Sequence, residues 1–119
     1  MGRWGDRPTA GTRKWEDEIH SRFYKATEGV DRACREAEDL EHTERVSGSL
    51  PAKTEERYFL LKDTCIRGRR IGRDFFRERV YARKEKMAER MERMVKNLPA
   101  PALDWWDMEP PWPRRKKRR

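Results

Sequence analysis

The sequence has no apolar run approaching the ~20 residues that a membrane-crossing helix needs, so a chain that does not span a membrane is expected. It has two cysteines and no CxxC pair, and its two histidines, His20 and His42, complete no zinc-ligand spacing. A twin-cysteine hairpin with two paired motifs would need four cysteines and is excluded. The first residues, "MGRWGDRPTAGTRKW", contain no apolar core for a secretory signal, and Asp6 with nearby Gly and Pro makes a poor transit peptide. Gly2 suggests myristoylation, but position 6 is Asp rather than Ser or Thr, so that motif fails. No glycine-rich phosphate loop exists: "GRRIG" sits in a helical pattern and lacks the Lys and Ser/Thr of such a loop. Carboxylates and bases alternate as on solvated helix faces, with no catalytic constellation. The expectation is therefore a protein that is not an enzyme, with no metal, cofactor or small-molecule substrate.

Apolar residues are also scarce. They make up 34 % of the 119 residues, against about 45–50 % usually, while charged residues reach 44 % against about 25 %. A chain of this size and composition is a single domain that can bury a seam between helices.

What is present is charge, and it is segregated. Residues 12–46 carry seven basic and ten acidic groups, or −3. Residues 67–96 carry twelve basic and five acidic groups, or +7, and the last six residues carry +6. The net charge of +8 favours a polyanionic partner: RNA, DNA or an anionic surface.

The apolar spacing predicts an all-α fold, a long antiparallel helical hairpin spanning 12–98. In the first helix, 12–46, Trp15, Ile19, Phe23, Ala26, Val30, Ala33, Ala37 and Leu40 recur at spacings of three and four. Thr12 is the expected N-cap, and Gly29 lies off the stripe, where it weakens the helix. "SGSLPAK" (47–53) reads as a turn. A second helix is expected over 54–97, with Tyr58, Leu61, Cys65, Gly72, Phe76, Val80, Met87, Met91, Met94 and Leu98 on its apolar side. Residues 1–11 form an extended N-terminal segment. Residues 99–119 form an extended Pro/Trp-rich arm with a hexabasic tail, because five prolines fall within 99–113.

On this second helix Arg70, Arg73, Arg77 and Lys84 share one flank of the seam. Arg79, Lys86, Arg90 and Arg93 take the other, and Asp74, Glu78, Glu85, Glu89 and Glu92 face away. Arginine outnumbers lysine nine to three over 67–96, and its planar fork suits phosphate. The competing expectation is that glutamates of the first helix, Glu16, Glu18, Glu36, Glu38 and Glu41, neutralise these groups. The candidate RNA-binding residues are Arg67, Arg70, Arg73, Arg77 and Lys84, with Arg114, Arg115, Lys116, Lys117, Arg118 and Arg119 of the tail. Trp105, Trp106 and Trp112 are candidate protein-docking residues, because such large aromatics dock on the hairpin or on a partner. Gly68 and Gly72, one turn apart, mark either a close backbone approach or a weak spot. Cys34 and Cys65 lie at equal height on opposing helices. They form a disulfide in an oxidising compartment or remain two small buried thiols, and the second is the expectation.

Long charged helices with extended ends resemble, in general character, the accessory proteins of mitochondrial ribosomes; no family motif carries the resemblance. The leading expectation is a structural subunit of a ribonucleoprotein, contacting rRNA phosphate and neighbouring proteins, in mitochondria. A nuclear location through the basic tail, or the cytosol, remains open. The alternative is a peripheral helical subunit of a membrane-bound, respiratory-type complex making protein contacts alone.

Overall fold

The computed structural model describes residues 8–99. Among them are three helices: α1 (Arg13–Ser47), α2 (Ala52–Arg77) and α3 (Tyr81–Lys96). At 1.5 Å per residue, α1 with its 35 residues is about 52 Å long. Its start is fixed as expected: the Trp15 backbone N–H donates to Thr12 Oγ1 at 3.1 Å. Its end is set by Gly48, whose φ of +89° is open to glycine, and whose N–H reaches the Glu44 carbonyl at 2.7 Å. Pro51, which cannot continue a helix, precedes α2.

The helical hairpin forms, with α1 and α2 antiparallel: Cys34 lies against Cys65, Val30 over Gly68 and Phe23 on Phe75. The second arm, however, is two helices rather than one. Glu78 and Val80 are extended (ψ 135° and 117°) and break it. The Glu78 carboxylate accepts from the freed backbone N–H groups of Arg79 (3.1 Å) and Val80 (3.2 Å), so the break is internally satisfied. Beyond it the chain reverses and α3 runs parallel to α1. Trp15 meets Glu85, Arg22 meets Glu92, and Arg32 meets Pro99.

This reversal re-phases the apolar side. The buried residues of α2 are Leu61, Thr64, Cys65, Gly68, Ile71 and Phe75, and those of α3 are Lys84, Ala88 and Met91. Phe76 and Val80, expected in the seam, are 60 % and 46 % exposed. Phe75 instead stacks on Phe23 with centroids 3.7 Å apart, both fully buried. A single helical wheel drawn across 54–97 assumes one phase, and the break removes it.

Two glycines admit neighbouring helices. A Cβ at Gly68 would stand 2.6 Å from a Val30 methyl, and one at Gly29 would collide with Val95 of α3. Gly29 is therefore a contact point rather than a weak spot. At Gly72 a Cβ would meet only Phe23 Cζ, at 3.9 Å. The two cysteines are joined: Cys34 and Cys65 form a disulfide between α1 and α2 with Cα atoms 4.9 Å apart, within the usual span, where two thiols were expected.

Candidate binding face

Interhelical polar contacts decide which charges remain for a partner. Arg22 on α1 donates two hydrogen bonds to Glu92 of α3 (2.7 and 3.0 Å), and its charge lies 3.8 Å from Glu85. The bond from Glu92 holds the Arg22 guanidinium above its already high ordinary value, against the effect of burial. Glu85 also accepts from Trp15 Nε1 at 3.3 Å. These acids, expected to face away, face α1 because α3 folds back onto it.

Glu36 bridges Arg32 of α1 and Arg57 of α2, and Arg32 also donates to the Pro99 carbonyl at 3.2 Å. Glu41 accepts from Tyr58 at 3.1 Å and from Lys62 at 3.4 Å. The Tyr58 hydrogen bond, then Lys62, hold the Glu41 carboxyl below its ordinary value. Burial first, and the same bond second, push the Tyr58 hydroxyl up. Glu36 and Glu41 are thus engaged by Arg57 and Lys62 near the turn, not by the arginines further along α2.

Lys84 leaves the candidate set. It is 8 % exposed, with Nζ 4.6 Å from the Phe75 ring centroid and 5.3 Å from that of Tyr81. The cation sits on aromatic faces inside the bundle, where phosphate cannot reach it. Arg67 is exposed but takes Asp63, one turn earlier, at 3.2 Å. Arg70, Arg73 and Arg77 remain. All three are exposed and, among the described residues, none meets a carboxylate.

Sequence reasoning missed what accompanies them. Phe59 (59 % exposed) and Ile66 (50 %), seven residues apart with Asp63 between them, continue the Arg70–Arg73–Arg77 line at spacings of four and three. Such spacing places residues on one ridge of a helix. The ridge therefore carries Phe59 and Ile66 on its turn-side half and the three arginines on the other, with Asp63, engaged by Arg67, between the two apolar residues. The signal was in the sequence: Phe59 and Ile66 lie off the seam. At the foot of the ridge, where α2 breaks, an open hollow of about 520 Å³ is lined by Arg77, Arg79 and Arg83 together with Asp74 and Glu78.

Trp105, Trp106, Trp112 and the tail Arg114–Arg119 lie outside the described residues, as do residues 1–7 of the N-terminal segment. Among the described residues no cluster of His, Cys, Asp or Glu suits a metal ion, and no helix is long and apolar enough to cross a membrane. No family model matches the chain, and neither a curated protein nor a solved structure does.

Proposed function

We propose that the protein is a non-enzymatic structural subunit of a larger assembly, docked through the outer ridge of α2 onto an acidic, partly apolar protein surface in an oxidising compartment. The observation that carries this reading is the mixed character of the ridge. Exposed Phe59 and Ile66 lie in line with Arg70, Arg73 and Arg77, the apolar pair toward the turn and the arginines beyond it, and none of the arginines is engaged by α1. Phosphate contacts need the arginines alone. Protein interfaces enrich both aromatic residues and arginine, and exposed apolar ridges mark docking sites. The disulfide supports the compartment, because such bonds persist under oxidising conditions and are rare where glutathione keeps thiols reduced. The mitochondrial intermembrane space is one such compartment, and a respiratory-type complex one such assembly.

A second reading, an rRNA-binding subunit of a mitochondrial ribosome, is favoured by the same three unengaged arginines. One affinity experiment separates the two. The tagged chain is recovered from cells in low and high salt, with and without nuclease. Two variants are compared with it: Phe59→Ser/Ile66→Ser, and Arg70→Glu/Arg73→Glu/Arg77→Glu. Protein docking predicts that both variants lose the same partners and that nuclease changes nothing. RNA binding predicts nuclease-sensitive recovery that only charge reversal abolishes, and that result would overturn the first reading.

A further inference from the structure

Away from the outer ridge, a groove of about 250 Å³ opens between α1 and α2. Tyr24, Thr27 and Asp31 form one wall, and Arg69, Gly72 and Phe76 the other, over a floor that includes Phe23 and Val30. Its two aromatic walls are more than half exposed, Tyr24 at 51 % and Phe76 at 60 %, with ring centroids 6.2 Å apart. The α2 wall is notched at Gly72. A glycine inside a helix weakens it, and at Gly68 the close approach of Val30 requires one. Nothing in the described packing requires one at Gly72, where an added Cβ has ordinary room.

We propose that the Trp105–Trp106 segment of this same chain fills the groove, with an indole over the notch at Gly72 and against the exposed faces of Tyr24 and Phe76. Where α3 ends supports this. The Pro99 carbonyl is held by Arg32, the residue after Asp31 of the groove wall. Trp105 follows Pro99 by six residues, a reach of about 20 Å, while a helix with its side chains is about 10–12 Å across. The segment therefore has length enough to pass over α1 into the groove. Its charge also fits. Asp104 and Asp107 bracket the two tryptophans, and Arg69 on the rim meets no carboxylate among the described residues. Trp112, thirteen residues from Pro99, closes a longer loop at greater entropic cost. Tethering makes this occupant intramolecular, at high effective concentration.

The test is a cycle of thermal unfolding measurements on the full chain. Trp105→Ala/Trp106→Ala is expected to lower Tm by about 5 °C or more, as the loss of one well-packed indole should in a domain of this size. Gly72→Leu, which fills the notch, and Phe76→Ala, which removes a wall that is 60 % exposed, are each combined with it. In either background the tryptophan effect should shrink by at least half. A Tm indifferent to the tryptophans overturns the proposal. So does an effect of equal size in all backgrounds, which would place the indoles elsewhere. Concentration-dependent sedimentation abolished by Gly72→Leu would give the groove to a second copy of the chain and also overturn it.

Discussion

Gly68 lies beneath Val30 where α1 and α2 approach, and no side chain fits between them. Gly68→Ala places a Cβ 2.6 Å from one valine methyl and 2.7 Å from the other. The gain in helix propensity is about 1 kcal/mol, while overpacking a closed seam costs about 1–3 kcal/mol. The variant is therefore expected to be less stable, as a lower urea midpoint would show; an unchanged or higher midpoint would mean that the helices part without cost. A second residue-scale contact gives a pH signature. Tyr58 donates to Glu41, whose carboxyl is held below its ordinary value of 4.5. A depressed carboxyl stabilises the fold above its unfolded value, and the stabilisation is lost as pH falls through the folded value. Tyr58→Phe removes the main cause of that depression. The gap in urea midpoint between parent and variant should be constant from pH 7 to 6, and should shrink as pH falls from about 4.5 through the folded value of Glu41. At the alkaline end the sign reverses for Tyr58 itself. Its hydroxyl is held above 10.0, so its contribution persists below that value and fades above it.

At the scale of elements, the bond between Cys34 and Cys65 staples α1 to α2 near the middle of their contact. It closes 31 residues of sequence. In the chain-entropy model such a loop stabilises by about 3–4 kcal/mol, a large part of the ~5–15 kcal/mol of a typical domain. Cys34→Ala/Cys65→Ala should lose about that much in equilibrium urea unfolding, and reductant should bring the parent to the same midpoint. No response to reductant would show that the bond does not form in solution. The elements differ in how legible they were. All eight stripe residues of α1 are buried, because one uninterrupted helix keeps one phase over its whole length. In the second arm, Leu61, Cys65 and Met91 were placed correctly. Phe75 rather than Phe76 faces the core, and Lys84 is buried rather than at the surface. The cause is local. No proline or glycine marks 78–80, and the break depends on Glu78 capping two backbone amides and on the aromatic contacts of Tyr81 with Trp15, which are tertiary. The same blind spot hid Glu85 and Glu92, since only the reversal of α3 brings them to Arg22.

Considered whole, the molecule keeps its acidic and basic halves in register and leaves one ridge of α2 unneutralised. Arg57 and Lys62 are engaged by α1 and Arg67 by Asp63 on its own helix, while Arg70, Arg73 and Arg77 meet no carboxylate among the described residues. The three arginines were legible as a group from spacing alone. Their apolar companions were not singled out, since an isolated exposed Phe or Ile is ordinary on any surface and gains meaning only once the fold puts them in line. The disulfide has one more consequence, and it is mechanical. Stretched from its two ends, the oxidised chain cannot pay out the residues between Cys34 and Cys65. At 3.3–3.6 Å per residue, the 31 residues of separation withhold about 100 Å of contour. Under tension the protein therefore behaves as a strap with a locked buckle: the segments outside the bond yield first, and the hairpin tip between the cysteines bears no load until the sulfurs are reduced.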